Sequence, residues 1–144
     1  MSTTDLLEET RLLAQLLRRW RADRQQHTQI TGPMRTVLEH VDSAGPRSVP
    51  SIARAEGVSR QHVQLQVDAL QELGMVAREA NPAHRRSSLI AATEKGRAWV
   101  EDTRADEENA LARMQTGVSD TAIRDATRVL AAWRDALTAV HSKR

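Results

Sequence analysis

Apolar residues recur every three or four positions in six segments of the chain, which predicts six amphipathic helices. The spacing of Asp5 and Glu8 is typical of a capping box and predicts a first helix from Asp5 to about His27. Leucines and Trp20 form a wide apolar stripe along this segment. The other five predicted helices begin at or just after Gly32-Pro33, Ser48, Ser59, Thr93, and Ser119 or Asp120.

Between the fourth and fifth helices the period changes from helical to strand-like. Gly57 predicts a left-handed turn between the third and fourth helices, and Gly74 ends the fourth. Residues 75–80 and 88–92 are predicted strands, joined by a basic tip at residues 81–87. Two helices around a tight turn, followed by a basic hairpin, are typical of proteins that bind duplex DNA.

The predicted fold class is therefore mainly α with a small β-hairpin wing. We assign residues 30–92 to a winged helix-turn-helix module within a single domain of residues 1–144. The segments 5–28 and 93–141 carry more apolar surface than one small module can cover, which predicts that they are dimerisation helices. A two-fold homodimer would place two recognition helices about one DNA turn, ~34 Å, apart.

The composition changes this picture mainly by exclusion. The chain has no Cys, which excludes disulfides, thiol catalysis and zinc sites with sulfur ligands. Its five His residues lack metal-ligand spacing, and no phosphate-binding Gly-rich loop or nucleophile motif is present. We therefore expect no enzyme activity, no cofactor and no metal. No apolar run is long enough to cross a bilayer and the N-terminus is polar, so a cytoplasmic location is expected.

The net charge of +2 is a weak indication of partners, and the positions of the arginines are more informative. Arg60, Gln61 and Gln64 lie early on the fourth helix, where a recognition helix contacts base edges. A solvated helix face is the alternative, and the following hairpin favours DNA contact. His62 is predicted to contact phosphate or simply to cap the helix. We expect Leu65 to pack within the protein rather than against a thymine methyl group.

Arg85 and Arg86 lie at the hairpin tip, where one arginine can enter the minor groove while its neighbour holds phosphate. A charged tip that only keeps the hairpin soluble is the alternative. Ser48 and Ser59 are most simply helix caps and are included with Ser87 in the predicted DNA-binding set, because serine hydroxyls also donate to phosphate.

The order of these elements resembles the MarR family of winged-helix transcriptional regulators. The resemblance rests on SIARAEGVSRQHV, on DALQELGMVAR, on the wing NPAHRRS and on AATEKGR after it. The family typically has an Asp-Pro-x-Asp-Arg-Arg wing and a Leu-Thr-x-x-Gly helix start. The matching residues here are Arg85, Arg86, Thr93 and Gly96, and the departures are Asn81, His84 and Ala92.

The resemblance implies a homodimeric regulator, most simply a repressor, that binds double-stranded DNA at a pseudo-palindromic operator. It also implies release by a small, often aromatic or phenolic, effector. Candidate effector-binding residues are Trp20, Arg24, His40 and Trp99, although tryptophans at helical spacing are more often core residues. The basic cluster at Arg18–Arg24 is interpreted as a solvated face paired with Glu and Asp; the alternatives are an extension of the basic footprint and the lining of a ligand cavity. The alternative functions are a winged helix for protein contact, a DNA-binding module without sensing, and a metal sensor.

Overall fold

The structure, a computed structural model, describes residues 1–142. Its elements in chain order are α1 (Thr3–Arg24), α2 (Gly32–Ala44), β1 (Arg47–Ser48), α3 (Val49–Glu56), α4 (Arg60–Glu72), β2 (Val76–Glu79), β3 (Leu89–Ala92), α5 (Glu94–Ala112) and α6 (Asp120–His141). The mainly helical fold with a small β wing is confirmed. The chain divides into two compact units, Met1–Asp106 and the segment from Glu107 onward. The predicted domain arrangement stays a prediction.

Serine hydroxyls begin most of the helices at the predicted places. The Oγ atoms of Ser48, Ser59 and Ser119 each accept a hydrogen bond from the backbone N–H three residues later. The predicted start of α1 at Asp5 is wrong. The capping box is formed by Ser2 and Asp5. Ser2 Oγ accepts a hydrogen bond from the Asp5 backbone N–H, and the Asp5 carboxylate accepts one from the Ser2 backbone N–H at 2.7 Å.

The core lies in the winged module, where α2, α3 and α4 pack over the sheet. Leu38, Ile52, Leu70 and Ile90 are fully buried, and each comes from a different element. Burial of such side chains stabilises a fold by about 1.5–3 kcal/mol each. Because α4 buries Val63, Val67 and Leu70 on one side, its other side is free to face outward.

The sheet has three antiparallel strands in the order β1–β3–β2. β2 and β3 are the predicted hairpin, and their register pairs Val76 with Ala92 and Glu79 with Leu89. β1 was missed from the sequence, because two residues are too short to show a strand period. It pairs Ser48 with Leu89, so the strand that leaves the wing is held next to the start of α3.

The start of α5 is locked against the end of α4 by three contacts. The Thr93 hydroxyl donates to the Gly74 carbonyl at 2.6 Å, and Lys95 Nζ donates to the Leu73 carbonyl at 2.8 Å. Gly96 is buried at this junction, where an added Cβ would lie 2.1 Å from the Met75 carbonyl oxygen. Thus only glycine fits at position 96 without movement of the backbone.

Two helices leave their apolar stripes uncovered among the described residues. Neither α1 nor α6 contains a buried residue, whereas α2 contains five. The exposed large residues of α1 are Leu7, Leu12, Leu13 and Leu16. On α6 the apolar residues alternate three and four positions apart, in the spacing of a coiled-coil seam, at Ile123, Ala126, Leu130, Trp133, Leu137 and Val140.

Candidate nucleic-acid interface

The outer side of α4 and the wing enclose a groove of about 340 Å³. Arg60, Gln61 and Gln64 line it from α4, and Arg86 and Ser87 line it from the wing. Five of the nine predicted DNA-binding residues therefore share one surface. A groove between a recognition helix and a basic hairpin can receive one edge of a duplex, with base edges against the helix and phosphates against the hairpin.

The cations of this surface are available to a ligand. Arg60, Arg85 and Arg86 are exposed, and within residues 1–142 none of them makes an ion pair or a side-chain hydrogen bond. Arg85 does not line the groove and lies beside it on the wing tip. An arginine without an internal partner keeps its forked donors for phosphate or guanine.

The remaining predicted residues lie at helix starts. Ser59 Oγ accepts from the His62 backbone N–H at 3.0 Å, and both residues flank a second surface hollow beside Gln61. Ser48 is half-buried and caps α3 through its Oγ. These serines therefore act as caps, and a further role in donating to phosphate stays a prediction, as does DNA contact for the whole set.

The expectation for Leu65 is wrong, because its side chain is 66% exposed. Position 65 lies opposite the α4 face that carries Val63 and Val67. An exposed leucine between Gln61 and Asp68 on the outer face places an apolar contact next to the groove. The alternative interpretation, contact with a thymine methyl group, therefore gains support.

Sequence reasoning missed Arg78 on β2. Its guanidinium donates from Nε to Gln71 Oε1, from Nη1 to Ser88 Oγ and from Nη2 to Asp68 Oδ1, each at 3.2 Å. Two of these acceptors lie on α4, and Ser88 lies just before β3. Arg78 therefore ties the recognition helix to the wing. Its place in a strand with little apolar alternation gave no local signal of this role.

The wing tip is shaped by Asn81, one of the residues that depart from the family pattern. Asn81 Oδ1 accepts from the Ala83 backbone N–H at 3.1 Å, and the Asn81 carbonyl accepts from the His84 N–H at 3.3 Å. These bonds form a turn of the kind that either Asn or Asp stabilises. Asn81 therefore supplies a turn contact without the negative charge that an aspartate would add beside Arg85.

Of the four predicted effector-binding residues, Trp20 and Arg24 contact each other, whereas His40 and Trp99 have other partners. The Arg24 guanidinium lies 5.0 Å from the centre of the Trp20 ring and forms an ion pair with Asp106. His40 Nδ1 lies 2.7 Å from Glu56 Oε1, which joins α2 to α3. Trp99 is half-buried against the core. Their role in effector binding stays a prediction.

A cavity of about 390 Å³ opens between α1, α2 and the helix-turn-helix, and none of those four residues lines it. Arg18 and Arg21 line it from α1, and Val58 and His62 line it from the turn and the start of α4. Arg18 is nevertheless exposed and Arg21 is half-buried, so the interpretation of the Arg18–Arg24 cluster as a solvated face stays a prediction. The size suits a small organic molecule, and the wall includes the recognition helix.

We expect the double variant Arg85→Ala/Arg86→Ala to bind DNA about tenfold or more weakly and to lower the salt slope by about 1 to 2. The cause is the loss of two unpaired cations at the wing tip. Salt-titrated fluorescence anisotropy measures both quantities.

The matched control is Arg11→Ala, which removes an arginine on α1 outside the winged module. Arg11 is paired with Glu8 at 2.7 Å, and its hydrogen bond and charge lower the pKa of the Glu8 carboxyl group. This variant should keep the wild-type salt slope. An unchanged slope in the wing variant would instead assign the tip a solubilising role alone.

Comparison with known proteins supports the resemblance drawn from the residues. Residues 28–87 match the MarR family. A MarR family protein from Bacillus stearothermophilus has a TM-score of 0.80 at 21% identity, covering 94% of each chain. A MarR protein from Peptoclostridium difficile has a TM-score of 0.80 at 12% identity, covering 99% of this chain and 94% of the other.

A Mycobacterium tuberculosis protein has a TM-score of 0.75 at 25% identity, covering 94% of this chain and 95% of its own. Among curated proteins, the sequence finds no match. None of the helices described in residues 1–142 has the length and apolar character needed to cross a membrane.

Proposed function

We propose that the chain is a DNA-binding transcription regulator of the MarR family, and that it is a homodimeric repressor of a pseudo-palindromic operator, released by a small-molecule effector. The match of residues 28–87 to the MarR family supports this proposal. The observation that carries the DNA-binding part is the groove between α4 and the wing, lined by Arg60, Gln61, Gln64 and Arg86. Repression is the simplest output, since a dimer seated on a promoter excludes other proteins from the same DNA. A cytoplasmic location stays a prediction.

Dimerisation is supported by the uncovered stripes of α1 and α6. Residues at three- and four-residue spacing on α6, including Leu137 at 51% exposed, form a seam suited to another helix. Soluble proteins seldom leave large apolar patches open to water, and such patches commonly mark protein interfaces. A second copy of the same chain also satisfies the two-fold symmetry of a palindromic operator.

Release by an effector is supported by the cavity between α1 and α2. Its wall reaches Val58 and His62, so a molecule bound there would contact the element that carries the base-reading residues. An effector shifts the protein between conformations only by its difference in affinity for them. A ligand that wedges α4 away from α1 would favour a dimer whose half-site spacing does not fit DNA.

We expect Thr36→Trp to abolish effector release while leaving operator affinity within about twofold. Thr36 is exposed on the wall of this cavity, outside the core and the groove, so an indole there fills space that the effector needs. The measurement is displacement of operator DNA by a panel of phenols and aromatic carboxylates. Arg19→Trp, at an exposed α1 position that does not line the cavity, is the control. Equal release from the Thr36 variant and the wild type would place the effector elsewhere.

The proposal as a whole is tested by selecting fragments of the source genome with the purified protein and titrating the best fragment with salt. Enrichment of an inverted repeat with half-sites about one turn apart supports the dimeric regulator. Equal retention of all fragments, lost as salt rises, supports DNA binding without sequence readout. No retention at low salt overturns DNA binding and favours a winged helix that contacts protein.

A further inference from the structure

A chain of hydrogen bonds beside the groove joins the wing strand to the recognition helix. Arg78 Nη2 donates to Asp68 Oδ1 at 3.2 Å, and the same oxygen accepts from Gln64 Nε2 at 2.7 Å. Gln64 and Asp68 are one helical turn apart on α4, so both side chains lie on the same face. Gln64 is half-buried and lines the groove next to Arg60 and Gln61.

Asp68 determines which way the Gln64 amide points. An ionised carboxylate is only an acceptor, so it takes the NH₂ end of the amide and turns Oε1 away from itself. The amide nitrogen carries two hydrogens, and the bond to Asp68 uses one of them. Gln64 therefore offers the groove one acceptor, Oε1, and one remaining N–H donor.

The Oε1 acceptor and the remaining N–H donor of Gln64 together match the edge of only one of the four bases. In the major groove adenine presents an N6 donor beside an N7 acceptor, which Gln64 can engage together. Guanine presents two acceptors, so its O6 would face Oε1, and thymine presents O4 with no donor. Cytosine supplies a donor alone. A glutamine free to turn its amide over would discriminate less, because it could offer donors to guanine and thymine.

Arg78 allows the Asp68 carboxylate to lie close to the phosphates of a bound duplex. A lone Asp68, whose side chain is 58% exposed, would repel the phosphates of a bound duplex. The guanidinium of Arg78 offsets that charge and, through its bonds to Gln71 and Ser88, holds the carboxylate at a constant position relative to the wing.

We propose that Asp68, held by Arg78, is a positioning residue that orients the Gln64 amide to select adenine at one position of each half-site. This inference rests on the proposed function, because it specifies how the same groove discriminates between bases.

The test is selection from a randomised duplex library with the full-length protein and three variants. Gln64→Ala identifies the base position that depends on residue 64. Asp68→Ala frees the amide, and Glu72→Ala is the matched control, because it also removes one exposed carboxylate from α4. Asp68→Ser is a second variant in case Asp68→Ala does not fold. Affinities for the selected site and its single-base changes are then measured at one salt concentration.

The wild type and Glu72→Ala should prefer adenine at the residue-64 position by about tenfold or more. Asp68→Ala should lose at least about fivefold of that preference while binding duplex DNA as tightly as wild type or tighter, because a negative charge is gone. A merely structural role would lower affinity for every site alike and leave the preference intact.

Full adenine preference in both Asp68 variants, or a wild-type preference for guanine or thymine at that position, would overturn the inference and leave the proposed function standing. A wild type that enriches no sequence would overturn the proposed function and the inference with it.

Discussion

Replacement of Gly96 by alanine is expected to lower the free energy of unfolding by about 3 kcal/mol. The new methyl group would lie 2.1 Å from the Met75 carbonyl oxygen and 3.1 Å from Leu38 Cδ1. The first contact is with backbone, so relief requires α5 to move away from the end of α4. That movement would also stretch the bonds of Thr93 and Lys95 to the Gly74 and Leu73 carbonyls.

Urea unfolding followed by circular dichroism measures this loss, and Gly32→Ala is its matched control. A Cβ at Gly32 meets nothing within 4 Å, and the residue lies at the start of α2, so alanine there should leave stability unchanged or raise it by a few tenths of a kcal/mol. Equal stability of the Gly96 variant and the wild type would show that the α4–α5 junction yields at little cost.

Introduction of glutamate at both Trp133 and Leu137 is expected to convert a homodimer into monomers and to weaken operator binding by about a hundredfold. Both residues lie on the α6 seam, 36% and 51% exposed in the single chain. Charges placed there cost the isolated chain little, since α6 contains no buried residue, but they would be desolvated within a helix–helix interface. A monomer binds only one half-site, so the gain in affinity from binding both half-sites of the operator at once is lost.

Sedimentation velocity reports the oligomeric state, and anisotropy on the selected operator reports the affinity. The control is the pair Ala132→Glu and Ala139→Glu, which adds the same charge to exposed positions of α6 outside the seam. This control should remain dimeric and bind DNA as the wild type does. Monomeric wild-type protein, or a dimeric seam variant, would contradict the assignment of α6.

Local patterns predicted the elements of the winged module well, because each signal acts within a few residues. The hydroxyls of Ser48 and Ser59 cap helices wherever the following segment is helical, and Gly57 takes the left-handed conformation that ends α3 at φ 67°. The two short apolar segments on either side of a basic tip identified the hairpin after Gly74, although β2 and β3 are shorter than predicted. The start of α1 was misplaced by two residues, since Ser2 competes with Asp5 as a cap.

The candidate site was predicted in part, because some of its residues are recognisable from their local position and others only from contacts with distant segments. Arg60, Gln61 and Gln64 were identified from their place on a helix, and Arg86 from its place on a hairpin tip. The role of Arg78 was not predicted, because it depends on hydrogen bonds to Asp68, ten residues away, and to Ser88 across the sheet. The position of the cavity beside α2 was not predicted either, because Arg18 and His62 line the same cavity only after the chain folds.

The sequence by itself determined the class of elements, their order, the buried faces of α2 and α4, and the basic character of the wing. Periodicity, capping and turn chemistry are local, so they can be seen without a fold. The tertiary structure alone decided which side chains share a surface: the bonds from Arg78 to α4, the orientation of the Gln64 amide and the tight fit at Gly96. These depend on distances between segments far apart in the chain, which packing sets and no local pattern encodes.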